Sequence, residues 1–256
     1  MSKSMLTVSH LVMRFGGITA LNDVSFSLTQ GDIIALIGPN GAGKTTLFNC
    51  MTGMYTPTSG QVYFKSKDIT GLPAHQIARS GMARTFQNLA LFGGLTVLEN
   101  LMTGAYLKGS SGLLQGVFST NQARKEEQAA QTAAMEMLSF LGMEEVAQSL
   151  PSELSYGRQK QVEFARALMQ RSELVLLDEP MAGMSTTENA AMSALIQKVR
   201  QSMGISFLIV EHDIPVVMDL SDKIVVLDFG QKIAEGHPRD IQNNPAVIAA
   251  YLGNGH

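Results

Sequence analysis

The stretch Gly38-Pro-Asn-Gly-Ala-Gly-Lys-Thr-Thr46 constrains this chain more than any other. It fits G-x-x-x-x-G-K-[ST], with Gly38, Gly43, Lys44 and Thr45 at the fixed positions. The apolar run Ile33–Ile37 leads in and reads as a buried strand; Leu47–Met51 leads out and can continue a helix. Strand, glycine loop and helix are the context the motif requires. Gly41 and Gly43 let the backbone approach a phosphate closely, and the amides of the new helix point at it. Lys44 can reach the outer phosphates, and the Thr45 hydroxyl suits Mg²⁺. Pro39, Asn40, Ala42 and Thr46 complete the candidate contact set.

The rest of the chain supplies a sheet for that loop. Residues 5–15 read as a strand, and 23–28 alternate polar and apolar as a half-buried one. Turn residues fill 55–60, a short strand covers 61–64, a helix is expected over 73–80, and a strand over 82–86 ends at Gln87. From about 88 to 170 the strand signals vanish. Thr96 with Glu99 three residues on forms a capping box, and 122–141 keeps helical apolar spacing at Ala130, Ala133, Ala134, Met137, Leu138 and Leu141. A further helix is expected over 159–168. Strands return at 173–178, 205–210 and 223–227, with helices at 186–203 and 245–252 and a hairpin turn at Asp228–Gln231. Apolar strands alternating with helices predict an α/β fold with a mostly parallel sheet covered on both faces.

Composition narrows the classes. Among 256 residues there is one cysteine, Cys50, so no internal disulfide forms. A net charge of −3 gives no broad footprint for nucleic acid, and no nucleic-acid partner is expected. No apolar run is long enough to span a membrane, and the first residues lack a secretory apolar segment, so the chain is expected to stay where it is made.

Leu174–Leu177 is a buried strand capped by Asp178 and Glu179. Beside a phosphate loop this is a Walker B arrangement: Asp178 for Mg²⁺, Glu179 to polarise an attacking water. Adjacent acids at a strand end are expected to point to opposite faces. Gln87 and His212 end two other strands. Gln87 can ligate Mg²⁺ or position water, and His212 can donate to a γ-phosphate.

Leu154-Ser-Tyr-Gly-Arg158 lies just ahead of the helix expected from Gln159. With the phosphate loop, Gln87, the acidic strand end and His212 in this order, nearly the whole chain resembles the ATP-binding subunit of ABC transporters. The resemblance implies a P-loop NTPase ABC ATPase core with a mostly parallel sheet, an antiparallel β subdomain and a helical insertion. Residues 1–256 would form a single ABC ATPase domain, with 1–87 and 171–256 as catalytic core and 88–170 as helical subdomain. It implies ATP and Mg²⁺, Phe15 stacked on adenine, and Lys44 on phosphate. Thr45, Gln87 and Asp178 would serve the metal, with Glu179 as catalytic base and His212 as switch. Ser155 and Gly157 would face the nucleotide held by a second ATPase subunit, identical or similar. Four positions depart from the family pattern. Tyr156 replaces a glycine, Arg158 a glutamine and Phe15 a tyrosine, and Ser185 stands where Asp or Asn is usual in the D-loop, 181–185. Ser185 keeps only part of the usual D-loop contact.

Arg84–Gln87, Leu95–Asn100, the insertion near 103–121, Glu179–Gly183, Ile209–Asp213 and Asn243–Gly253 together resemble the ATPase of branched-chain amino-acid uptake systems and their urea or amide relatives. That implies transmembrane permease subunits, a periplasmic or extracellular solute-binding protein as an indirect partner, and a peripheral position on the cytoplasmic face of the cell membrane. Lipid or lipopolysaccharide export is the nearest alternative. A soluble ABC ATPase would need tandem cassettes or coiled coils, and a P-loop kinase would lack the 154–158 loop.

Overall fold

Strands β1 (Ser4–Phe15) and β2 (Ile18–Thr29) pair antiparallel through the turn at Gly16 and Gly17. The computed structural model describes residues 4–85, 89–106 and 121–252, without the side chains of 106 and 121–123. Strands β4 (Ser59–Phe64) and β5 (Lys67–Asp68) complete an antiparallel sheet of order β2-β1-β4-β5.

The second sheet holds β3 (Ile33–Ile37), β6 (Met82–Arg84), β7 (Leu174–Asp178), β8 (Ser206–Val210), β9 (Lys223–Asp228) and β10 (Gln231–Gly236). Its order is β10-β9-β3-β8-β7-β6, parallel throughout except for the β9–β10 hairpin. The helices are α1 (Lys44–Met51), α2 (Ala74–Ser80), α3 (Val97–Tyr106), α4 (Asn121–Leu141), α5 (Tyr156–Leu168), α6 (Thr186–Met203), α7 (Ile214–Leu220), α8 (Pro238–Gln242) and α9 (Pro245–Leu252). No helix among the described residues is long and apolar enough to cross a membrane.

The unbroken apolar runs follow from burial on both faces. Ile34 and Leu36 of β3 pack with α1 and the antiparallel sheet, whereas Ile33 packs with α3–α6, and Ala35 and Ile37 with α7–α9. Neighbouring residues of one strand therefore serve different cores, and neither face can be polar. The expected α4 face is in place: Ala130, Ala134, Leu138 and Leu141 are buried while Arg124, Lys125 and Glu127 face water. The capping box also forms, with the Thr96 amide donating to Glu99 Oε2 at 2.7 Å and the Glu99 amide to Thr96 Oγ1 at 3.2 Å.

Three elements differ from expectation. β5 and α8 are too short to leave a periodic signal. α5 begins at Tyr156, not Gln159, because Ser155 is its N-cap and accepts from the Arg158 amide at 3.3 Å.

Candidate functional site

The phosphate loop is clamped from behind. Gly38 leaves β3 at φ 150°, and a Cβ there would lie 2.1 Å from the Leu227 carbonyl oxygen of β9. Gly43, the residue before α1, has φ 99°, and its Cβ would lie 2.7 Å from the Ala20 carbonyl of β2. Only glycine satisfies both the angle and the approach at these positions. The β9–β10 turn adds a tie: the Gly230 amide donates to Ala42 O at 3.0 Å, and the Asn22 amide donates to Gly230 O at 2.8 Å. Two strands from different sheets thus hold the loop.

Lys44 curls back over this loop. Its Nζ donates to Gly38 O at 2.6 Å and to Pro39 O at 2.9 Å, and the residue is only 7% exposed. Burial holds its pKa below the ordinary lysine value, with Glu179 opposing the shift. A phosphate oxygen would give this ammonium a charged acceptor in place of two carbonyls.

A cavity of about 570 Å³ opens beside the loop. Asn40, Gly41, Ala42, Gly43, Lys44, Thr45 and Thr46 line it together with Glu179 and His212. Residues distant in sequence therefore meet as expected from the strand ends. Glu179 Oε1 and His212 Nε2 are 2.8 Å apart. The route by which Glu179 gets there corrects the strand-alternation argument. β7 ends at Asp178, and Glu179 turns away at φ 51°, a left-handed angle uncommon outside glycine. Its amide donates to Val210 O at 2.9 Å, which holds the kink. Asp178 stays behind the cavity wall, 3% exposed, where Arg84 Nη2 donates to its Oδ2 at 2.8 Å.

Glu211 was not singled out from sequence. It is 4% exposed, and its carboxylate accepts from the Met181 amide at 2.8 Å and the His212 amide at 3.1 Å. It ties the segment after Glu179 to the segment carrying His212. Burial pushes its carboxyl pKa up.

Several expected residues lie elsewhere. Phe15 does not line the cavity; it is exposed and meets Tyr55 edge to face at 5.3 Å between ring centroids. Gly38 and Pro39 lie beneath the loop as acceptors for Lys44. Ser155 and Gly157 line a separate cavity of about 500 Å³ with Glu188. Gln87 lies outside the described residues. Conversely, Ile18, Thr19, Ala20 and Phe229 line the first cavity without having been marked. Phe229 sits in the expected β9–β10 turn at φ 42° and is 78% exposed; what no local pattern announces is that this turn lies beside the phosphate loop.

The donors near the loop fit a hard cation. Thr45, Asp178 and Glu179 offer oxygen only, and no group of three or more His, Cys, Asp or Glu side chains among the described residues could hold a metal by itself. Mg²⁺ is usually bound this way, through one or two protein oxygens plus substrate phosphates.

Against known proteins, the profile described as "ABC transporter" matches residues 21–182. The profile described as "Branched-chain amino acid ATP-binding cassette transporter" matches residues 231–256. The chain belongs to the ABC transporter family and is one of its ATP-binding cassettes. It is 43% identical over 253 residues, 99% of each chain, to the high-affinity branched-chain amino acid transport ATP-binding protein BraF of Pseudomonas aeruginosa. The same identity and coverage hold for LivG, of the same description, from Escherichia coli. Among solved structures, a nucleotide-free ATP-binding cassette from an ABC transporter superposes with TM-score 0.85 at 34% identity, covering 98% of this chain and all (100%) of that one. The dimeric structure of MJ0796, a bacterial ABC transporter cassette, gives 0.76 at 25% identity, covering 92% of this chain and 99% of that one.

Proposed function

We propose that this chain hydrolyses ATP to drive a membrane importer of branched-chain or other amino acids. One observation carries the chemistry: Asn40–Thr46 and the Glu179–His212 pair line the same cavity. The solute class rests on the relatives' names and on the C-terminal match over 231–256, which favours uptake over lipid or lipopolysaccharide export.

The loop amides and Lys44 bind the phosphates, and Phe15 offers a ring face to the adenine. Glu179 accepts a proton from the attacking water, and its kinked backbone aims the carboxylate into the cavity. His212 fixes that carboxylate and can donate to the transferring phosphate. Thr45, Asp178 and Gln87 would hold Mg²⁺, which neutralises charge on the phosphates.

Ser155 and Gly157 are assigned to a different nucleotide, one bound by a second cassette, since they line a cavity of their own. That partner is another copy or a similar ATPase, as the dimeric cassette illustrates for its own family. ATP then bridges two subunits, and loss of the γ-phosphate releases the bridge. The pair acts on transmembrane permease subunits at the cytoplasmic face of the membrane, and through them on a solute-binding protein.

Glu179→Gln tests this reading. The variant is expected to keep ATP binding and to lose hydrolysis by about 100-fold or more, the usual scale of a general base. Wild-type turnover in Glu179→Gln would remove Glu179 from the role of base.

A further inference from the structure

Arg84 belongs to none of the roles above, yet its guanidinium makes polar contacts with three side chains near the site. It ends β6 at the sheet edge, next to β7. Its Nη2 donates to Asp178 Oδ2 at 2.8 Å. Its Nη1 donates to Asn49 Oδ1 at 2.7 Å and to Thr52 Oγ1 at 3.2 Å. Its guanidinium lies 5.7 Å from the centroid of the Phe48 ring. Side-chain exposure is 13% for Arg84 and 5% for Asp178, so water screens this pair poorly.

These partners fall on two rigid elements. Phe48 and Asn49 are on α1, and Thr52 closes its C-terminal end. α1 is the helix whose first turn carries Lys44 and Thr45. Asp178 ends β7. One planar fork therefore spans the helix bearing Thr45 and the strand bearing Asp178, the two described residues assigned to Mg²⁺. A guanidinium holds its donors in a fixed plane, so it sets angles as well as charge. It also occupies Oδ2, which leaves Oδ1 as the oxygen of Asp178 that can turn to a cation or its water.

We infer that Arg84 is a positioning residue that sets the geometry, and hence the cation preference, of the Thr45–Asp178 pair. The inference rests on the assignment of Asp178 to the metal. Mg²⁺ demands a near-ideal octahedron, whereas Ca²⁺ accepts flexible geometry. Loosening the fork should therefore penalise Mg²⁺ more than Ca²⁺. Deleting the positive charge acts on both divalent ions alike and cancels in their ratio. The ratio isolates positioning from charge.

The experiment titrates Mg²⁺ or Ca²⁺ into the full chain with a fluorescent, non-hydrolysable ATP analogue and reads binding; a third arm uses EDTA. Arg84→Met and Arg84→Lys are compared with Asn49→Ala, which removes one of the guanidinium's ties to α1, leaves those to Thr52 and Phe48, and keeps its bond to Asp178. Arg84→Met is expected to shift the Mg²⁺/Ca²⁺ half-saturation ratio toward Ca²⁺ by at least about fivefold, with Arg84→Lys next and Asn49→Ala about twofold. Metal-free binding should stay within about twofold of wild type. If Arg84→Met fails to fold, the other two variants decide. An unchanged ratio in folded Arg84→Lys and Asn49→Ala overturns the inference, as does an equal loss of metal-free binding. Asp178→Asn is the separate control. Unchanged metal dependence there would remove the metal assignment itself, whereas a changed dependence with an unmoved ratio in the Arg84 variants would remove only the role of Arg84.

Discussion

The phosphate loop and the loop at Ser155–Gly157 both present glycine amides at the start of a helix, but they are built in opposite ways. The first is pinned by contacts from β2, β9 and the β9–β10 turn, with Lys44 buried against two carbonyls. The second is the first turn of α5, capped by its own Ser155, with Ser155 and Tyr156 exposed and Gly157 buried. Its polar groups face Glu188 of α6: Ser155 Oγ lies 3.5 Å from Glu188 Oε1, and the Gly157 amide also faces that carboxylate. These hydrogen bonds, those from Ser185 first, hold the Glu188 carboxyl below the usual range. A pinned loop binds a ligand without reorganising. A loop that rests on a side chain of its own molecule can give up that contact when a better anion arrives. The contrast fits one half-site that captures ATP and another that meets ATP only after a second subunit docks.

The largest effect should come from the pinned side. A Gly38→Ala side chain collides with a backbone carbonyl that cannot swing away, so a loss of about 3 kcal/mol or more is expected in chemical denaturation. Stability within about 0.5 kcal/mol of wild type would mean that the clamp described here yields easily. Lys44→Met should separate binding from folding. Burial lowers the folded pKa of Lys44, so its ammonium costs stability at any pH below the ordinary lysine value. The variant is therefore expected to melt at or above the wild-type temperature near pH 7 while ATP affinity falls at least about tenfold by calorimetry. Melting well below wild type would show that Lys44 supports the loop more than it strains it.

Gly157→Ala should act more mildly. Its Cβ would lie 2.3 Å from Glu188 Oε1, the end of a flexible side chain, so a cost of about 1 kcal/mol is expected. On a Glu188→Ala background, which carries its own cost through the lost capping box, Gly157→Ala should add little further loss, and additive losses in the double variant would place the strain elsewhere.

The same contrast governs what was legible in sequence. Gly38, Gly43 and Lys44 stand at fixed spacings because strand, loop and helix are contiguous, so the motif carries its own context. The run Leu174–Asp178 was equally plain, since burial on both faces leaves an unbroken apolar signature. The kink at Glu179 was not. It depends on Val210 accepting from the Glu179 amide across the sheet, and strand periodicity carries no trace of that bond. Phe229 and Ile18–Ala20 were hidden for a related reason: the β9–β10 turn and the start of β2, far apart in the chain, meet beside the loop, and neither has a chemical signature. The resemblance places Ser155 against a second subunit's nucleotide, and the structure adds its capping role in the single chain. Ser185 does likewise for α6, with the Glu188 amide donating to its Oγ at 3.4 Å, so part of its hydroxyl is already committed.

The half-site account can be tested on Tyr156, which is exposed beside Ser155 in a chain with no tryptophan (Trp 0). Tyr156→Trp places a unique fluorophore in this loop. It is combined with Lys44→Met, and ATP is held below the level that the weakened loop of the labelled chain binds, so that its own loop contributes little. The labelled chain is then mixed with an unlabelled Glu179→Gln chain that binds ATP but barely turns it over. ATP is expected to shift the tryptophan emission only in the mixture, with an amplitude that rises with protein concentration. An emission that ATP leaves unmoved at every ratio and concentration would contradict a site completed by a second copy.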